Sequence, residues 1–207
     1  MKNRMPSGRW SKLCLGVVVA IVAVASALGA QPASGRQSAE YEQVAAQAQA
    51  MQTSLDSGDF VAIGTNRHAL AEVVAPFAGV AASELEDAWA VADPRRQTAV
   101  YTALAQLGLP YVTNGESTTS GFDCSGLTKY AWGQAGVELE HQSEAQVGQG
   151  ERRSFTSALP GDLLHYPGHI GLSLGVGRSL VHAVNHQTGL AIGEASAQTL
   201  DVIAPIS

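Results

Sequence analysis

The sequence predicts an α+β fold in which N-terminal helices pack on an antiparallel β-sheet. Apolar residues recur at three- and four-residue steps through roughly the first two thirds of the chain, the spacing of one helix face. Beyond Leu159 short apolar runs alternate with Pro, Gly and Asn, the pattern of strands and turns. Helices gathered ahead of strands, instead of alternating with them, argue against a parallel βαβ sheet.

The 207 residues suffice for one catalytic domain and a short N-terminal addition. Lys2, Arg4, Arg9 and Lys12 precede an apolar and small-residue run from Leu13 to Ala30, so residues 1–29 read as a signal peptide. A secreted or cell-envelope protein is therefore expected, touching the membrane only through this segment if it stays uncleaved. Cys14 stands at the start of that run, which argues against lipid attachment there. A cut after Gly29 removes four of the 12 basic residues and none of the 18 acids, leaving a net charge of −10. Such a body disfavours nucleic acid as a partner, because phosphate binding needs clustered Lys and Arg. A monomer is expected.

The elements follow in order. Val44, Ala48, Met51 and Leu55 form one face of a helix from Gln37 to about Leu55, ended by Ser57-Gly58-Asp59. A second helical stretch runs from about Asn66 to Val74 and is expected to close near Pro76. Together these make residues 30–82 a helical arm, with a domain over 83–207. Ser83, followed by Glu84, Glu86 and Asp87, is expected to open a helix through Trp89, and Asp93-Pro94 to open the next, to about Leu107. After a turn-rich stretch from Thr113 to Gly121, Asp123 begins a helix that ends near Gly136. Strands are expected over 162–166, 169–174, 179–184, 190–192 and 200–203.

Without the signal segment, Cys124 is the only cysteine, so no internal disulfide can form and the thiol is either inert or a nucleophile. If Asp123 caps its helix, Cys124 lies in the first turn, where unpaired N–H groups and the helix dipole favour a thiolate with a depressed pKa. Gly126 allows a close approach by substrate or a neighbouring strand. A thiolate nucleophile needs a base to return a proton to the leaving amine and a third group to orient that base. His169 opens an alternating run in which His169, Gly171 and Ser173 share one face. A hairpin turning at Gly175-Val176-Gly177-Arg178 sets His182 beside it. His165 reads as a surface or supporting residue, while His141 lines the groove or merely precedes a helix capped by Ser143. No His, Cys or acidic cluster has zinc spacing, so neither metal nor cofactor is expected.

Four segments, in this order, carry a resemblance: Leu107-Gly108-Leu109-Pro110-Tyr111; Gly121-Phe122-Asp123-Cys124-Ser125-Gly126-Leu127; Leu159-Pro160-Gly161-Asp162-Leu163; and His169-Ile170-Gly171 with Val181-His182-Ala183. Over roughly Trp89 to Ala183 the chain resembles the NlpC-type family of cell-wall cysteine peptidases. The resemblance implies a papain-like fold with the nucleophile at a helix N-terminus, and hydrolysis of peptidoglycan stem peptides between D-glutamate and the following diamino acid. It places the nucleophile on Cys124, the base on His169 and the orienting residue on His182. Tyr111 falls near the oxyanion and substrate site, and Asp123 and Ser125 fall where the substrate's amino end is held. The backbone N–H of Cys124 would help stabilise the oxyanion, a contribution of a few kcal/mol.

The chain departs from the family at Val112-Thr113-Asn114-Gly115, where an aromatic and paired glycines are common, and in a 13-residue step from His169 to His182 that leaves Asn185 and His186 as alternatives for the orienting residue. Two other readings use the same residues: a thiol amidase or acyltransferase on another substrate, and a catalytically silent wall-binding or regulatory protein.

Overall fold

The computed structural model describes residues 33–196 and 201–206; the expected signal segment, 1–29, lies outside them. Six helices are described: α1 (Ala33–Ser57), α2 (Phe60–Ala78), α3 (Ala82–Val91), α4 (Pro94–Leu104), α5 (Cys124–Gln134) and α6 (Ser143–Val147). The strands are β1 (Glu116–Ser117), β2 (Gly121–Phe122), β3 (Glu151–Arg153), β4 (Leu163–Tyr166), β5 (His169–Ser173), β6 (Ser179–Asn185), β7 (Gly189–Glu194) and β8 (Asp201–Ala204). β1 and β2 pair as a small ribbon, and the other six form an antiparallel sheet in the order β3-β8-β4-β5-β6-β7. The α+β class, with helices ahead of an antiparallel sheet, is as the sequence predicts.

One row of side chains explains why the helices sit where they do. Ile203, Leu163, Leu172, Val181 and Ile192 stand directly opposite one another across five strands. All five are buried, in one core with Val44, Met51, Leu70, Trp89, Leu104 and Leu127 from the helices. Strand side chains alternate between faces, so Leu164, Leu180 and Val202 point the other way, into a smaller cluster with Phe155 and Ala158. Burial of such side chains contributes about 1.5–3 kcal/mol each, before the conformational entropy that opposes it. The two large indoles also register helix against turn: Trp89 donates to the Leu174 carbonyl (2.9 Å) and Trp132 to that of Gly161 (3.0 Å).

Three local expectations need correction. α2 starts earlier than predicted, because Asp59 accepts the N–H groups of Val61 and Ala62 as an N-cap, and it runs through Pro76 to Ala78. Its apolar face (Leu70, Ala71, Val74, Ala75) is fully engaged in the core, and this packing outweighs the proline's missing donor. Ser83 does not cap α3: it lies inside the helix, and the Glu84 carboxylate reaches back to the Ala81 N–H at 3.0 Å. Edge strand β3 is too short and too charged (Glu151-Arg152-Arg153) to announce itself by alternation, and only its pairing with β8 defines it.

Candidate active site

α5 begins as the sequence requires. The Asp123 side chain accepts the N–H of Gly126 at 2.7 Å, which leaves Cys124 as the first helical residue, among donors that no preceding turn can satisfy. Gly126 is needed for backbone packing: a Cβ there would lie 2.0 Å from the Gly115 carbonyl oxygen and 3.0 Å from His141 Nε2. The Val112–Gly115 turn, held by a 2.8 Å bond between its ends and with Asn114 left-handed at φ 55°, presents that same carbonyl to the N–H of Asp123 at 2.9 Å. The stretch without the family's paired glycines therefore closes against the start of α5.

Cys124 is 8% exposed, and the backbone N–H of Ile170, the residue after His169, acts on its thiol to lower the pKa. His169 Nε2 lies 2.8 Å from Nδ1 of His182, with the rings edge to face. The two histidines sit diagonally across the β5–β6 pair. Gly171 between them admits this approach, since a Cβ there would meet His182 Cβ at 2.9 Å. With His169 Nε2 engaged by His182, its Nδ1 has no hydrogen-bond partner among the described residues. Neither alternative takes the place of His182. The Asn185 side chain accepts the N–H groups of Gln187 and Thr188 in the β6–β7 turn, and His186 packs edge-on against Tyr111 and bonds Thr113 Oγ1 at 3.2 Å.

Electrostatics set the resting state. Burial pushes the Cys124 thiol up, and the Asp123 carboxylate adds to this against the lowering effect of the Ile170 and Ser125 N–H groups. The expected depressed thiol is thus not found: desolvation of the anion outweighs the donors at the helix start. Burial also lowers His169, with a smaller contribution from His165, to about 4, and burial followed by His169 lowers His182 to about 4. At neutral pH the arrangement is a thiol facing uncharged imidazoles.

The other expected site residues gather here too. Burial raises the Tyr111 phenol, and the charges of Cys124 and Asp123 add to this. The Ser125 hydroxyl donates to Asp123 Oδ1 at 3.1 Å, the same oxygen that caps the helix and faces His141 Nε2 at 3.0 Å. His141 also faces Glu116, which Lys129 holds at 2.6 Å. Two further residues stand beside this group. Tyr166 stacks on His169 with ring centres 5.0 Å apart, a contact fixed by the two-residue turn that pairs Tyr166 with His169. His165 is not a surface residue: it is 6% exposed, with both nitrogens lacking hydrogen bonds, and stands 3.7 Å from Asp201 and 3.9 Å from Glu144. A cavity of about 440 Å³ between α1, α4 and α5, lined by groups such as Gln49, Gln52 and Thr102, does not reach Cys124.

A helix-borne thiol against a strand histidine that is itself bonded to a second histidine invites comparison with known proteins. The NlpC/P60 family model matches residues 108–200, a span that holds Tyr111, Asp123, Cys124, Ser125, His169 and His182. Residues 108–200 are an NlpC/P60 domain. A probable endopeptidase of Mycobacterium tuberculosis is 38% identical over 91 residues, covering 42% of this chain and 23% of its own length. The bifunctional muramidase/DL-endopeptidase CwlT of Bacillus subtilis is 33% identical over 90 residues, covering 40% of this chain and 27% of its own. The chain thus spans about a quarter of the length of these curated relatives. A crystal structure of an NLP/P60-family protein from Staphylococcus aureus superposes with a TM-score of 0.50 at 26% identity, over 56% of this chain and 43% of that one. The match to the NlpC/P60 model falls on α5, α6 and strands β1 to β7 and not on α1 to α4, which lie before residue 108.

Proposed function

We propose that this protein is an exported cysteine endopeptidase that hydrolyses peptidoglycan stem peptides at the bond between D-glutamate and the following diamino acid. The observation that carries the reading is the 2.8 Å bond between His169 and His182, beside the Ile170 amide that acts on the Cys124 thiol. NlpC/P60 membership and a DL-endopeptidase among the relatives point to the D–L bond.

Cys124 is the nucleophile, His169 the base and His182 the residue that fixes the His169 tautomer. Because thiol and imidazole both rest uncharged, the proton passes from sulfur to His169 Nδ1 as sulfur attacks the carbonyl carbon. The negative charge moves to the carbonyl oxygen, where the Cys124 N–H at the open helix start and the neighbouring Tyr111 receive it. Collapse breaks the C–N bond, and His169 hands its proton to the departing amine. Water then attacks the thioester with His169 again as base, releasing the acid and the thiol. Asp123 accepts its three bonds on Oδ1. In this reading Oδ2 and Ser125 hold the substrate's ammonium end, and residues 1–29 direct export and 30–82 form an arm on the peptidase domain.

Digestion of defined stem peptides with mass readout tests this. The wild-type protein is expected to yield the D-glutamyl product, and Cys124→Ala to lose at least ~10³-fold in rate. Binding without turnover, unchanged by the substitution, would overturn it in favour of a silent wall-binding protein; a product other than the free acid would indicate acyl transfer.

A further inference from the structure

Helix α6, which Gln142 and not Ser143 caps, touches both halves of the site. Gln146 of α6 is fully buried. Its Oε1 accepts the Thr128 hydroxyl at 2.7 Å, and its Nε2 donates to the carbonyls of Ser125 (2.9 Å) and Glu140 (2.7 Å). α6 is thereby fastened to the first turns of the nucleophile helix. Two residues earlier, Glu144 Oε1 accepts the N–H of Gly168 at 3.0 Å, and its Oε2 accepts from Ser143 Oγ and Gln142 Nε2. Gly168 directly precedes His169.

The turn that Glu144 holds does not hold itself well. Tyr166 and His169 pair across a two-residue loop, Pro167-Gly168. Proline fixes a negative φ at the first loop position, which excludes the primed turns whose twist suits a two-residue hairpin. Gly168 at φ 77° makes the turn type II, in which the Gly168 N–H points away from the turn and is left to water or an outside acceptor. Glu144 is that acceptor.

We propose that α6 is a brace with two ends, Gln146 on the Cys124 helix and Glu144 on the turn before His169, and that Glu144 is a positioning residue setting where the imidazole stands relative to the sulfur. The inference rests on Cys124 and His169 acting as a pair, and its test needs no substrate. In the full chain, carbamidomethylation of Cys124 by iodoacetamide is followed by mass spectrometry of the Cys124 peptide from about pH 6 to about pH 10. Glu144→Ala is expected to slow the reaction about tenfold at neutral pH and to converge on wild type at alkaline pH, where hydroxide replaces the base. Glu144→Gln keeps an acceptor oxygen and is expected to stay within about threefold of wild type.

Equal rates in Glu144→Ala and wild type, a deficit that is the same at every pH, or a Glu144→Gln variant as slow as Glu144→Ala would each overturn the proposal. Should Glu144→Ala not fold, the wild-type Gly168 amide decides: protection from hydrogen exchange supports the brace, and exchange at the rate of an open turn overturns it. A protein that shows the predicted alkylation pattern yet cuts no stem peptide would sink the substrate assignment and leave the brace standing.

Discussion

Two polar clusters in this protein, one buried and one partly buried, are built on opposite rules. Arg96 and Asp162, with 4% and 0% of their side chains exposed, form a salt bridge at 2.6 Å. Arg96 also donates to the carbonyls of Pro160 and Ile206, and Asp162 accepts from the Leu159 N–H. That cluster joins α4 to the turn before β4 and to the C-terminal residues, and its charges are compensated in place. His169 and His182 share a single bond, carry no charge at neutral pH and leave one nitrogen of each ring without a hydrogen bond among the described residues. A closed network fixes geometry, whereas one that keeps a free nitrogen can move a proton.

The contrast can be broken by exchanging the consequences. Cutting the closed cluster is expected to have the largest effect on stability: Asp162→Ala strands a buried guanidinium and should cost about 3–5 kcal/mol, read from urea unfolding. A loss below about 1 kcal/mol would mean the cluster is incidental. His182→Ala should do the reverse, lowering the turnover of stem peptides roughly 10²- to 10³-fold while unfolding stays within about 2 kcal/mol of wild type. Asn185→Ala and His186→Ala, at the rejected alternative positions, serve as controls for that loss.

Acid sharpens the comparison further. The histidines titrate near 6.5 in the unfolded chain and about 4 in the folded one, so the unfolded state binds more protons between these values. Their contribution is present above pH 6.5 and is lost as pH falls toward about 4, on the order of a few kcal/mol for the pair. Activity should vanish through the same lower limit, as His169 becomes charged and can no longer accept the thiol proton. The smallest effect belongs to His165, whose proximity lowers His169: His165→Gln should move the acid limb of the rate profile upward by less than about one unit. A downward shift would show that His165 acts through packing instead.

Much of the site was legible before any coordinates. Asp123 as cap, Cys124 in the first turn, and the alternation that puts His169 on a strand face are local patterns, set by hydrogen-bond geometry over a few residues. The order of helices and strands follows from the same kind of periodicity. What local pattern could not supply is a balance struck between distant groups. The run of α2 through Pro76 depends on an apolar face docked in a core that includes β-strands a hundred residues away. That His182, and not Asn185 or His186, bonds His169 depends on the hairpin register, and the direction of the Cys124 shift on how deeply the residue is covered.

By itself the sequence determined which residues could do chemistry and which backbone each would ride on, because capping, alternation and turn formation act along the chain. Only the tertiary structure decided which of them meet, which charges water no longer reaches, and that Glu144 and Gln146 tie helix to hairpin. The physical reason is that desolvation and hydrogen bonds across dozens of residues exist only once the chain has packed.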